Sequence, residues 1–577
     1  MKILLVYPYF LDDRISDEDV SAIPMGLYSI GAMLRANGYA VDILNAHNLG
    51  RAPHRIYQVL GDIRPDVVGF SILHANRWGG IDMARMVKKV QPHAAVVFGG
   101  VGATFLWEHL LAHFPDIDYV VRGEGEHTFL ELVRFLESES KGAPNHIAGL
   151  AFRRDGRPFR TAERDPVANL DSLPMPADHF TFQHLSLTRG CPADCTFCGS
   201  PAFWKRRVRF LSAGYFVSQM DKLSRKGVRF FFVSDDTFTL KRSLVIEVCR
   251  RIVDSGLDIT WAAVSRVDCV DAEMLAWMRR AGCTQISYGV ESGSREIRGI
   301  YRKRISDDAI CRAFDLTVRY GILARAYFIY GAPGECDRTI DETLALLQRM
   351  RPLAAIFYVL DLFPGTQLYD DYQRRTGAGD DIWLERVEDM PYVEADAALS
   401  GEKVIEYGRR LREGYFALLP AFAARIELAE DPDLYPLHAD FLSRLALTFS
   451  HGDYAANPQI PDRLATAVML FERSLRYHPD HRAFWGLGLV YSHLRRFEEA
   501  VEMLQRGVRH YPASVDMRLA LANCLMRLNR CAEARRCLEA VSHHDQAVEQ
   551  LVRCCRLMGD REEEQRWADR LAASDRS

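Results

Sequence analysis

Three patterns predict an α/β protein in three parts: a doubly wound Rossmann-like domain, a partial (β/α)6 TIM-type barrel, and an all-α helical repeat domain. Residues 1–140 alternate short apolar runs with helical periodicity. Residues 184–395 repeat that alternation six times, with polar residues where each strand ends. Beyond about residue 437 a 33–34-residue spacing appears: Pro479 and Pro512, then Ala467, Ala500 and Ala534.

The first part reads in order. A strand at 2–7 is followed by a helix at 25–37 that stops at Gly38. Strands at 41–44 and 66–71 follow, the second introduced by Pro65 and ending at Ser71, then a helix at 80–90. The strand 95–98 runs straight into Gly99-Gly100-Val101-Gly102-Ala103-Thr104. The strand 118–121 leads into Arg122-Gly123-Glu124-Gly125-Glu126 and a helix to about 136. Five strands alternating with helices imply a parallel sheet whose ligands lie at the carboxyl ends of the strands. The glycines of the 99–104 loop let backbone approach a ligand closely. A nucleotide site, a flavin site and a plain tight turn all remain open for this loop on its own.

After a linker at 141–183, barrel strands are expected at 185–188, 229–233, 259–263, 285–289, 324–329 and 354–360. They end in Ser234-Asp235-Asp236, Ser265-Arg266, Val290-Glu291-Ser292 and Gly331-Ala332-Pro333-Gly334-Glu335. Barrel active sites are built on that face. Each residue also has a plain reading: Asp235 and Asp236 as caps of a turn or of the next helix, Glu291 as a helix cap, Arg266 as a surface charge.

Cys191, Cys195 and Cys198 stand in the loop after the first barrel strand, spaced C-x3-C-x2-C, with Phe197 just before the last. Three thiolates on one loop grip three corners of a cubane iron–sulfur cluster and leave the fourth iron open. A partial zinc site or three structural thiols are the alternatives. Zinc sites close with a fourth Cys or His at short, paired spacing, and the nearest downstream one is Cys249.

With its flanking sequence, this triplet resembles the signature of the radical S-adenosylmethionine (SAM) enzymes. The resemblance implies a 4Fe–4S cluster whose free iron chelates SAM and cleaves it to a 5′-deoxyadenosyl radical. It implies that Ser234, Asp235 and Asp236 accept from the SAM amine, and that Ser265 and Arg266 lie near its carboxylate and sulfonium. Glu291 and Ser292 fall in the ribose motif, and Phe197, Ile329 and Gly331 on the adenine side.

The first part, through Ile23-Pro24-Met25-Gly26, 65–71, 99–104 and 121–126, resembles the cobalamin-binding domain of one radical SAM class. This implies cobalamin contacts from Ser71, Gly99, Gly100, Gly102, Thr104, Gly123 and Glu124. The Asp-x-His-x-x-Gly motif of other cobalamin proteins is missing from 8–14, so the resemblance implies base-off cobalamin without a histidine ligand.

The remainder is a helical connector at 396–436 and tetratricopeptide-like repeats at 437–577. The motif Phe484-x-x-Leu487-Gly488-x-x-Tyr491, with Ala500, Leu504 and Pro512, fits the repeat. Such arrays dock peptides or proteins; a cap over the barrel is the equal alternative. Net charge is −4 on 577 residues, with basic residues spread along the chain, which argues against nucleic acid as partner. No membrane span is read, since the apolar run at 3–6 meets Tyr7-Pro8. Thirteen cysteines, mostly single in apolar contexts such as Cys249, Cys311 and Cys524, suit a reducing cytoplasm.

The function expected is an enzyme transferring methyl to an unactivated carbon or phosphorus of a small molecule or peptide. An external electron donor such as flavodoxin or ferredoxin is implied. Radical rearrangement, cyclisation or oxidation without methyl transfer is the alternative within enzymes. A non-catalytic interaction scaffold, working through its repeats, is the alternative outside them.

Overall fold

The apolar run at 3–6 forms β1 (Lys2–Tyr7), in which Ile3, Leu4, Leu5 and Val6 are at most 1% exposed. In this computed structural model, which describes residues 1–11, 22–49, 52–138, 142–395 and 399–574, β1 lies in a seven-stranded sheet. It pairs in parallel with β2 (Ala40–Asn45) and β3 (Val67–Ser71). Next come β4 (Ala95–Gly99) and β5 (Tyr119–Val121), giving the order 2-1-3-4-5. The order reverses between β1 and β3, and a crevice for ligands opens at such a switch point. Part of 8–14, and the domain limits expected at 140/141 and 395/396, lie outside the described residues.

The expected linker contains sheet. β6 (Leu150–Arg154) and β7 (Arg157–Arg160) form a hairpin that adds two antiparallel strands beside β5. Its turn is Asp155-Gly156, with φ of 50° and 74°. Positive φ at both central residues gives a turn whose twist matches the flanking strands.

The second sheet has six strands in monotonic order, as a barrel wall requires. They are β8 (His184–Leu185), β11 (Phe230–Val233), β12 (Thr260–Ser265), β13 (Cys283–Glu291), β14 (Leu323–Tyr330) and β15 (Ala354–Val359). The pairs β8–β11, β11–β12 and β12–β13 are parallel. The first expected strand is split: β9 (Thr188–Arg189) leaves the sheet to pair antiparallel with β10 (Arg209–Phe210).

The two α/β domains share one core. Leu4, Phe70 and Phe98 of the first sheet belong to the same apolar cluster as Tyr301, Leu360 and Trp383. By contacts, both domains fall in one unit made of Met1–Ala313, Arg325–Arg349 and Ala355–Leu411.

The second unit comprises Phe314–Ala324, Met350–Ala354 and Arg412–Ser577. The helix Gly401–Ala424 ends six residues before the 430 that periodicity suggested, and a single 3-10 turn, Pro432–Leu434, follows. Hairpin-like helix pairs then run from Tyr435–Ser450 to Arg561–Ser574. Small residues set their spacing: a Cβ on Gly488 would lie 2.4 Å from Leu504, and one on Gly486 2.2 Å from Phe471. Among the described residues no helix is long and apolar enough to cross a membrane.

Candidate active site

The cysteine loop is held by Asp235, at the end of β11. Asp235 is 3% exposed and accepts from Ser186 Oγ at 3.0 Å, Thr188 N at 2.5 Å, Thr188 Oγ1 at 2.7 Å and Leu187 N at 3.2 Å. Burial pushes its carboxyl up to about 6, against the pull of those donors. Asp235 is therefore engaged as a clamp on residues 186–188, at the strand end where the acceptor for the SAM amine is expected. It does not cap the next helix, which begins at Arg242 behind Lys241.

Arg189 continues the clamp. Its Nη1 lies 2.7 Å from Glu124 Oε1 and its Nη2 2.6 Å from Glu126 Oε1. Arg209 adds a second cation 2.8 Å from Glu124 Oε2, and Val167 N donates to that oxygen at 2.7 Å. Glu124, expected to touch cobalamin, is thus filled by two arginines and a backbone N–H. Between Arg189 and Cys191 the chain turns at Gly190, with φ of +106°, where a Cβ would stand 2.1 Å from Arg207 O. Only glycine fits there.

The three thiols are free: Cys195 is buried, Cys191 and Cys198 half-buried. Burial pushes the Cys195 thiol up and the Cys198 thiol up to about 12. Thiols in such surroundings ionise only beside compensating positive charge, which a metal cluster supplies. Among the described residues the triplet is not a group at single-ion spacing, as mononuclear zinc would need. The donor set fits a cluster.

Around Cys195 stand Lys303 and Arg266, both of which lower its thiol against burial. Lys303 Nζ lies 2.9 Å from Glu291 Oε1, with both side chains under a tenth exposed. Burial alone would lower the Lys303 ammonium; Glu291 and Cys195 reverse this and raise it. Glu291 ends β13 with φ of +69°, an unusual backbone for a carboxylate residue and of the kind found at functional sites. Arg266 is no free surface charge: it pairs with Asp268 through Nε at 3.0 Å and Nη2 at 2.8 Å. Ser265 is buried against Thr239 Oγ1. Ser292, 1% exposed, receives the Ser294 N–H at 3.1 Å and contacts Thr343 Oγ1 at 3.4 Å, so its hydroxyl serves the turn.

Phe197 packs edge-on against Tyr301 at 5.1 Å between centroids, and joins Ile329 and Ile300 at the edge of the shared core. The Tyr301 hydroxyl is buried with no hydrogen-bond partner among the described residues. An orphaned hydroxyl beside Phe197 and near Glu291 fits a polar ligand such as SAM. Gly331 N donates to Glu335, which burial pushes up to about 7. Sequence reasoning missed Arg189, Lys303 and Tyr301.

The glycine loop after β4 lies against the loop after β3. A Cβ on Gly100, with φ of +91°, would stand 2.8 Å from Ile72 O, and one on Gly102 2.8 Å from Leu73 O. These two glycines thus serve backbone packing of 72–74. Gly99 alone has room, with Val121 O nearest at 3.7 Å. Thr104 Oγ1 donates to Gly100 O at 2.8 Å and accepts from Gly123 N at 3.0 Å, tying the loops after β4 and β5 together.

These loops open into a cavity of ≈ 720 Å³. Ser71, Gly99, Gly100, Gly102, Gly123 and Glu124 line it on one side, Cys198, Ser234 and Asp236 on the other; Thr104 does not. Asp236 accepts from Ser200 Oγ at 2.8 Å, and Ser234 Oγ is 3.0 Å from His184 Nδ1. Mostly apolar walls and a glycine-lined floor at strand ends fit a large, mainly apolar cofactor such as cobalamin. The cavity does not bring in Cys191, Cys195, Phe197, Asp235, Ser265, Arg266, Glu291, Ser292, Ile329 or Gly331 as lining.

Comparison with known proteins finds three kinds of family in the chain. Residues 185–347 match the radical SAM superfamily, 19–133 the B12 binding domain, and 462–514 and 493–553 tetratricopeptide repeats. An uncharacterized methyltransferase of Pyrococcus horikoshii is 30% identical over 384 residues, covering 64% of this chain and 83% of that protein. The anaerobic magnesium-protoporphyrin IX monomethyl ester cyclase of Cereibacter sphaeroides is 27% identical over 362 residues, covering 60% of this chain and 59% of that one. Among solved structures, the radical SAM methyltransferase TsrM of Kitasatospora setae, with cobalamin and a 4Fe–4S cluster bound, is similar in fold: TM-score 0.57, 18% identity, 65% of this chain and 75% of that chain. Triplet, shared chamber and relatives together lead to one conclusion: the chain belongs to the cobalamin-dependent radical SAM enzymes, with tetratricopeptide repeats following its two cofactor domains in sequence.

Proposed function

We propose that this enzyme transfers a methyl group to an unactivated carbon or phosphorus of a small-molecule or peptide substrate. The observation that carries the reading is the single cavity reaching from Gly99 and Gly102 to Cys198. When bound, the 4Fe–4S cluster with SAM supplies a hydrogen-abstracting radical, and cobalamin supplies the methyl.

The chain's own residues position and enclose. Cys191, Cys195 and Cys198 hold the cluster. Asp235 and Arg189 fix the residues that lead into the loop carrying them. Ser234 and Asp236 offer acceptors at the chamber wall. Glu291, oriented by Lys303, and the Tyr301 hydroxyl beside Phe197 are the polar contacts proposed for SAM. Mostly apolar walls keep water from the reacting groups.

Methyl transfer is favoured over cyclisation because the methyltransferase relative is 30% identical and matched over 83% of its length, whereas the three cyclase relatives are 26–27% identical and matched over 59–72%. A one-electron donor such as flavodoxin or ferredoxin serves the cluster. A reducing cytoplasm is the compartment that suits the free thiols and an oxygen-sensitive cluster. The repeats dock a protein or peptide partner. The test is methyl-labelled SAM given to the cofactor-loaded enzyme with candidate substrates. Label in the product supports methyl transfer; 5′-deoxyadenosine with an unlabelled product supports the alternative.

A further inference from the structure

The helix Trp107–His113 carries a second set of metal-type ligands, none of which lines the chamber. His109 and His113, four residues apart, share one helix face, with ring centroids 4.9 Å apart. Asp381, in the short helix Asp380–Leu384, places Oδ1 3.5 Å from His113 Nε2. One ligand atom from each of the three lies within 4.8 Å of the others, and among the described residues no other group does so.

Two observations point to a ligand there. His109 is only 6% exposed, yet its Nε2 has no hydrogen-bond partner among the described residues. Such a group costs stability unless something bonds it. A His113–Asp381 surface pair alone leaves that nitrogen unexplained. The Asp381 segment is also anchored. Its neighbour Asp380 accepts from Tyr369 Oη at 2.8 Å and Gln373 Nε2 at 3.0 Å, and Trp383 Nε1 donates to Tyr369 Oη at 2.8 Å. An exposed carboxylate is thereby held opposite two imidazoles.

We propose that His109, His113 and Asp381 bind a divalent ion of the zinc type, with water in the fourth position. The ion would clasp the helix Trp107–His113 of the first domain to the segment beyond the last barrel strand. Two imidazoles and one carboxylate suit zinc and its neighbours rather than magnesium or calcium, which take all-oxygen sets.

The tag-free, cluster-loaded full chain is titrated with zinc chloride, and bound zinc is counted against iron. One zinc per chain beyond the cluster is expected, retained when Cys191, Cys195 and Cys198 are all replaced by Ala. His113 and Asp381 are 39% and 80% exposed, so their substitution leaves the core intact. His113→Ala and Asp381→Ala should each weaken zinc binding at least about tenfold. Zinc should raise the melting temperature of the wild type and not of these variants. No zinc beyond the cluster, loss of zinc with the cysteines, or zinc binding by both variants as tight as that of the wild type would overturn the proposal.

Discussion

Half-buried Arg189 and buried Glu126 form an ion pair, 2.6 Å between Nη2 and Oε1, joining the loop after β5 to the residue two before Cys191. The same guanidinium reaches Glu124. The cysteine loop is thus braced from the cobalamin-type domain.

Replacing Arg189 by Ala leaves two buried carboxylates short of a partner. A loss of about 3–5 kcal/mol is expected on chemical denaturation. Arg189→Lys should recover only part of it, because an ammonium cannot span both carboxylates as the fork does. Iron content after reconstitution should fall in both variants, since the loop loses its brace. Normal stability and full iron loading in Arg189→Ala would contradict the brace.

The glycine loop gives a contrast within four residues. Gly100→Ala and Gly102→Ala place a Cβ 2.8 Å from backbone of the neighbouring loop and should destabilise the fold, by about 1–3 kcal/mol at Gly100 for its positive φ alone. Gly99 has ordinary clearance and faces the chamber. Gly99→Val should therefore keep the melting temperature near that of the wild type while weakening hydroxocobalamin binding in an absorbance titration. Unchanged binding would move the corrin away from this loop.

Glu335 makes stability depend on pH in a defined window. Its folded value of about 7 lies above the ordinary carboxylate range, so the unfolded chain gives up this proton first as pH rises. The folded state binds more protons over that interval, and stability falls with increasing pH from about 4.5 to 7, then levels. The wild type should lose stability across this window relative to Glu335→Gln. Parallel pH profiles would show that Glu335 ionises normally.

The strands and the cysteine loop were legible because their signals are local: apolar periodicity, and three thiols within eight residues. The hairpin at 150–160, expected as linker, carries a local signal too, Asp155-Gly156 between Phe152 and Phe159. What sequence alone hides is which charge answers which. Asp235 stands at a strand end like a ligand-binding acid, but its donors come from residues 47 to 49 positions earlier. Glu124 lies 65 residues from Arg189 and 85 from Arg209. Such pairings follow from tertiary packing, and a single sequence carries no trace of them.

Methyl transfer by this route would consume two SAM molecules per turnover, one giving its methyl to cobalamin and leaving as S-adenosylhomocysteine, the other giving the radical and leaving as methionine and 5′-deoxyadenosine. With a true substrate, S-adenosylhomocysteine and 5′-deoxyadenosine should appear together, near one to one. 5′-Deoxyadenosine without matching S-adenosylhomocysteine would point to cyclisation or rearrangement.

The most direct test of the whole account needs no substrate. The wild type and the variant with Cys191, Cys195 and Cys198 all replaced by Ala are reconstituted anaerobically, reduced and given SAM, and 5′-deoxyadenosine is measured by mass spectrometry. The account predicts uncoupled cleavage by the wild type and none by a soluble triple variant. 5′-Deoxyadenosine formed equally by the triple variant would contradict it.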